Sequence, residues 1–311
     1  MGRAIACVFL GLLSACEGPP EPIDAAIDVD AGSDAGPPCV PPVDDPFACE
    51  DRTPDPSCAA HWVVGVTGRI VTSAGEPVEN GRAQLCVRVA PDETLVCLLP
   101  PRTDANGEFA IVLPEELRCV NRAAMRAIAP ARPLATTYCP IDFVVGNEPI
   151  VDLGAAYVLH PVVAATVPPV GDEIAQRDVT FADGLVLTLA PVDLPSVAEY
   201  EGLSGAPVSV SATECFSRGS TFDGAYAFNP EAEVVAGAAV SIPNEAGLAP
   251  GAIVDLFVLG GLETRLIDGS SVEEGVLAAF GPATVTADGA RIVSDADTRL
   301  PYLSWLVWRA R

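Results

Sequence analysis

The sequence predicts an all-β protein, two β-sandwich modules behind a disordered acidic tether. Three observations carry that reading. Apolar residues alternate over short runs, as at Leu85, Val87 and Val89, which is the period of a half-buried strand. Turn signals such as Asn80-Gly81, Asp104-Ala105-Asn106-Gly107 and Asp288-Gly289 separate those runs. The chain has 311 residues, half of them hydrophobic, enough for about two domains, each with its own core.

Composition removes several function classes. Asp and Glu number 42 against 17 basic residues, for a net charge of −25. All 17 are arginine, and lysine is absent. A polyanion would be repelled, with no basic stripe to release its counterions, so nucleic acid is not an expected partner. A lysine-dependent phosphate-binding loop is impossible. With only His61 and His160, a three-histidine metal site is excluded.

Residues 1–15 read as a signal peptide. Arg3 supplies its positive end, and the apolar run Ala4–Leu13 is too short to span a bilayer. The run ends in Leu13-Ser14-Ala15-Cys16, which resembles a bacterial lipobox. That resemblance implies cleavage before Cys16, diacylation of its sulfur and acylation of the new amino terminus. Several acyl chains hold a protein at a membrane far better than one. The alternative is an ordinary secretory signal with a cysteine nearby.

Residues 16–58 read as the tether. Positions 17–58 hold 11 acidic residues, ten prolines, one arginine (Arg52) and one aromatic (Phe47). Such a segment buries too little apolar surface to offset its ordering entropy, and its like charges repel. Asp28, Asp30 and Asp34 suggest a calcium loop, but the glycine falls at the fifth position and Cys39 at the twelfth, where a glutamate belongs. A solvated spacer is the reading, and no metal is expected.

Residues 59–161 form the first expected module. Val66-Thr67-Gly68-Arg69-Ile70-Val71, followed by Gly75-Glu76-Pro77-Val78-Glu79-Asn80-Gly81, is similar to the opening of a carboxypeptidase regulatory-like domain. Thr103-Asp104-Ala105-Asn106-Gly107-Glu108-Phe109 resembles that family's turn, and Val151–Leu159 its last strand. The resemblance implies a transthyretin-like sandwich and no peptidase activity. Phe109 would open an inward row with Ile111 and Leu113. The stretch Arg118–Ile128 is longer and more basic than the family's usual connection. It reads either as a strand ending near Ala129 or as a short helical insert.

Residues 162–311 form the second expected module, again sandwich-like. Strands are expected at Leu185–Leu189, Val208–Ala212, Ala238–Ile242, Val254–Leu259 and Val276–Ala279. Hairpins are expected at Asp223-Gly224 and Asp288-Gly289, and a polar loop at 263–274. Trp305 and Trp308 read as a platform for stacking a sugar or as large side chains of a final packed strand.

Eight cysteines follow Cys16: Cys39, Cys49, Cys58, Cys86, Cys97, Cys119, Cys139 and Cys215. An even count after export implies up to four disulfides, with 105 possible connectivities. Cys86 and Cys97 lie equidistant from Pro91-Asp92-Glu93 and are expected to face each other across a hairpin. Cys119–Cys139 is the second choice. Cys39, Cys49 and Cys58 would staple the tether, one of them reaching Cys215. No C-x-x-C occurs, which argues against a zinc site.

No catalytic constellation is legible. Neither histidine stands in H-x-x-E or H-E-x-x-H, and no G-x-S-x-G occurs. Glu115-Glu116, Glu199 with Glu201, and Glu273-Glu274 are available to an acid-based hydrolase. The expectation is a non-catalytic, lipid-anchored protein of the outer membrane or cell surface that needs no cofactor. Its partners would be the membrane, through the lipid, and an envelope protein or a glycan. A carbohydrate-binding surface module is the alternative, and an acid-based hydrolase in the C-terminal half is the more distant one.

Overall fold

Phe109, Ile111 and Leu113 all turn inward and are buried, and the core they enter organises the first lobe. The structure, a computed structural model, describes residues 39–42, 45–143, 149–154, 157–262 and 264–311. The signal segment, Cys16 and the tether through residue 38 lie outside the described residues, as does Glu263. The fold is all-β, with several sheets.

Among the described residues the first lobe has nine strands in chain order: β1 (His61–Trp62), β2 (Gly65–Thr72), β3 (Arg82–Val89), β4 (Thr94–Cys97), β5 (Glu108–Val112), β6 (Cys119–Ile128), β7 (Thr137–Ile141), β8 (Ile150–Asp152) and β9 (Tyr157–Leu159). One sheet runs β1-β6-β3-β4, with β7 also on β6. A second runs β5-β2-β8, with β9 also on β2. Both sheets feed one core: Val66 and Ile70 from β2, Leu85 and Val87 from β3, Met125 and Ala127 from β6. The turn into β5 is built as its residues dictate. Asp104 Oδ1 accepts from the amides of Asn106 and Glu108, both at 2.8 Å. Gly107 takes φ +78, and a Cβ there would lie 2.3 Å from the Ile70 carbonyl oxygen.

The basic stretch is a ten-residue strand, β6, with no helical insert. Alternation explains its composition. Ala123, Met125 and Ala127 enter the core, which puts Arg122, Ala124 and Arg126 on the opposite face.

The end of the expected tether is docked. Phe47, its one aromatic, is buried at 4 % exposure. Arg118, itself buried, pairs with Glu50 and donates to the carbonyls of Asp51 and Leu113. Cys58 is bonded to Cys119 at the start of β6. Composition alone describes 45–58 as unfoldable, but a single aromatic, a partly buried ion pair and a disulfide tie it to the first lobe. Phe47→Ala should release this segment. The buried ring is worth a few kcal/mol (about 3), so tryptic cleavage after Arg52 is expected to accelerate about tenfold or more. An unchanged cleavage rate would mean that Phe47 does not hold the segment.

The second lobe adds β10 (Val163–Ala164), β11 (Arg177–Thr180), β12 (Val186–Leu189), β13 (Ser204–Val208), β14 (Gly224–Pro243), β15 (Ile253–Leu259), β16 (Leu277–Val285), β17 (Arg291–Ser294) and β18 (Leu300–Ala310). Among the described residues two short α-helices, α1 (Val197–Glu201) and α2 (Glu214–Ser217), interrupt them. Pairing runs β14-β17-β16-β15-β18, and β18 returns to β14, so these five strands close a ring. Closure leaves no free edge among them. The 20-residue β14 bends to serve several partners. Its register to β18 shifts between Ala227 and Ala232, around Pro230, and between Glu233 and Ala238, at Gly237.

Two expectations here are corrected. The strand expected at Val208–Ala212 ends at Val208, because Ser209 accepts from the Ser211 amide and starts a 3-10 turn. Asp288-Gly289 does join two paired strands, β16 and β17, but Asp223-Gly224 makes no hairpin: Gly224 opens β14, and six residues separate it from α2, the preceding element. Residues 41–311 together form one compact unit.

Candidate functional site

The best-built polar site lies on the seam between the lobes. Its first layer is apolar. Ala135 and Tyr138 from the first lobe pack with Val162, Phe216, Ala225, Leu259, Trp305 and Val307 from the second. Trp305 is fully buried, donates from Nε1 to the Thr136 carbonyl at 2.8 Å, and meets the edges of His160 and Phe216. Burial lowers the His160 pKa, favouring the neutral ring. Cys139 of β7 is bonded across the seam to Cys215 of α2.

The second layer is ionic. The outward face of β3 and β6 carries Arg88, Arg122 and Arg126, each paired to a glutamate of the second lobe. Arg88 meets Glu274 at 3.1 Å, Arg122 meets Glu273 at 2.7 Å, and Arg126 meets Glu231 at 2.6 Å. The Arg122 pair is half exposed and contributes little. The Arg126 pair is different, because the Glu231 side chain is only 3 % exposed.

Glu231 is fully occupied. Its Oε2 accepts from Arg126 Nε and Nη2, at 3.0 and 2.6 Å. Its Oε1 accepts from the Tyr138 hydroxyl and from the Tyr302 hydroxyl, the latter at 2.6 Å. Gln84 accepts from Arg126 Nη1, and the Leu262 amide donates to Tyr138 Oη. Burial pushes both phenols far above their ordinary pKa, and the Glu231 charge adds to it. Burial works against the Arg126 charge, but the Glu231 carboxylate, Tyr138 and Tyr302 together outweigh it, and the guanidinium pKa rises. A carboxylate so satisfied, with every donor committed, locks two surfaces together.

Beside the lock lies a seam cleft of about 210 Å³, bordered by Arg88, Arg122, Arg218, Asp142, Glu273 and Glu274. His61 also borders it and stacks on Phe143. His160 stands apart, against Trp305. Among the described residues, no cluster of acidic, histidine and cysteine side chains has the makings of a metal site.

The expected site residues fare differently. Cys86 and Cys97 lie opposite each other in the β3–β4 register and are bonded. The Cys119–Cys139 pairing is overturned. In the β6–β7 register Cys139 faces Met125, six residues along the strand from Cys119. Cys119 instead takes Cys58, and Cys215 takes Cys139 rather than a tether cysteine. Cys39 and Cys49 are also disulfide-bonded. Trp305 is no platform, because its indole is sealed in the seam; Trp308 remains partly exposed.

The acid pairs occupy separate roles. Glu115 and Glu116 sit on an exposed 3-10 turn, Glu199 accepts from the Ser196 hydroxyl, and Glu273 and Glu274 are ion-paired. Sequence reasoning missed Glu231, Tyr138 and Tyr302. The one available signal was the unusual basic stretch holding Arg122 and Arg126.

No model of a known protein family matches this chain, and no curated protein matches it either.

Proposed function

We propose that this chain is a lipid-anchored protein of the bacterial cell envelope, held through Cys16, whose locked two-lobed unit binds or scaffolds without catalysis. One observation carries the reading. All eight cysteines that follow Cys16 are disulfide-bonded, and disulfides form and persist in oxidising compartments outside the cytoplasm. A seam held by a disulfide and a buried ionic cluster suits a rigid structural role. The first lobe reads as a carboxypeptidase regulatory-like sandwich. Support comes from its Asp104–Gly107 turn and from β8 and β9, which both run parallel to β2.

Protease shaving of intact cells tests the placement. Peptides from residues 41–311 are expected in the released fraction. Protection until the outer membrane is permeabilised would contradict exposure at the cell surface. A Cys16→Ala variant should leave the membrane fraction; if it partitions like the original, the lipid anchor is wrong.

A further inference from the structure

Trp308 borders a second cavity, of about 280 Å³, on the far lobe. That is close to the lower end of small-ligand pockets, about 300 Å³. Its indole is seated on Gly224, where a Cβ would come within 2.0 Å of ring carbon Cζ2. Any side chain at Gly224 would displace the ring, so the glycine serves the tryptophan rather than a turn. Pro207 and Pro243 add apolar wall.

Three carboxylates share this cavity: Asp183, Asp223 and Glu245. Among the described residues none of them is in an ion pair. Asp183 Oδ1 accepts from Tyr226 Oη at 2.9 Å, and Asp223 Oδ2 accepts from the Ala310 amide at 2.6 Å. Each keeps a second oxygen. Among the described lining side chains the indole N–H is the only donor; every other polar group is an acceptor.

We propose that this cavity binds an organic cation, its charged head against the Trp308 indole and its positive charge balanced by Asp183, Asp223 and Glu245. An aromatic face and unpaired carboxylates are the two elements that attract such a head. A neutral sugar carries no charge for the three carboxylates to balance. Such a charge is carried by a small free ammonium compound or by an arginine or lysine side chain of a partner protein. The site goes beyond the scaffold reading and does not depend on the anchor.

The test titrates the full chain with choline, with an acetylated and amidated Gly-Arg-Gly peptide, and with cellobiose, by calorimetry and tryptophan fluorescence. Saturable binding of choline or of the peptide is expected, with no response to cellobiose. Choline alone would mark a free cation as the ligand; the peptide alone would mark a partner's side chain. Glu245→Gln, a surface change that keeps shape and removes charge, should weaken binding about fivefold, and Trp308→Leu by about as much or more. The proposal is overturned by no saturable binding of either cation up to about 10 mM, by undiminished affinity in Glu245→Gln, or by cellobiose binding as well as the cations. The Glu245→Gln result stands even if Trp308→Leu fails to fold.

Discussion

Glu231→Ala is expected to lower the unfolding free energy by about 3–5 kcal/mol, the cost of stranding one member of a buried ion pair. Arg126 would remain largely buried with its charge uncompensated. The Tyr138 and Tyr302 hydroxyls would lose the acceptor they share, a further desolvation penalty. The pair itself is not expected to exceed a well-packed apolar replacement. A quadruple variant, Glu231→Leu, Arg126→Met, Tyr138→Phe and Tyr302→Phe, should therefore recover much of the loss. Denaturant melts of the two variants check this. If Glu231→Ala costs under about 1 kcal/mol, the carboxylate is better hydrated than its burial implies.

A steep loss of stability from about pH 10 upward is the second large effect. All five tyrosines are buried. Burial raises the pKa of Tyr138, Tyr157, Tyr226 and Tyr302, with added charge repulsion from Glu231 at Tyr138 and Tyr302 and from Asp183 at Tyr226. In the unfolded chain these phenols ionise near 10. Below that value both states hold the protons and nothing is lost. Above it the unfolded state sheds protons that the folded state keeps, so stability falls as pH rises. Each phenol contributes about 1.4 kcal/mol per pH unit, and four together about 5.

The composition isolates this signal. The chain has no lysine, and the eight cysteines after Cys16 are bonded, so few other side chains titrate in that window. Tyrosinate absorbance is expected to rise together with loss of near-ultraviolet circular dichroism. Reversible tyrosine ionisation near pH 10 with the fold intact would contradict it.

The strands were legible wherever one face meets the core and the other does not. Phe109, Ile111 and Leu113 announce β5 by alternation alone, and Cys86 with Cys97 announce a hairpin by symmetry about Pro91–Glu93. The closed ring of the second lobe was not legible, because closure depends on which distant strands β18 pairs with. No local pattern encodes that choice. The docked segment was hidden by its own composition, which a single Phe47 overrides. Glu231 was invisible for a related reason. Its partners lie 71 to 105 residues away, and in a chain with 42 acidic residues nothing marks this one as buried. Trp308 was singled out, but its neighbours Asp183 and Glu245 come from different loops that only the folded ring brings to it.

Differential scanning calorimetry of the oxidised chain tests most directly whether the seam makes one unit of the two lobes. A single transition with equal calorimetric and van't Hoff enthalpies is expected. Opening the seam disulfide with Cys139→Ser and Cys215→Ser, which frees a 76-residue loop, should cost about 4–5 kcal/mol by chain entropy. Two separate transitions in the unaltered protein, one for each lobe, would contradict the locked unit.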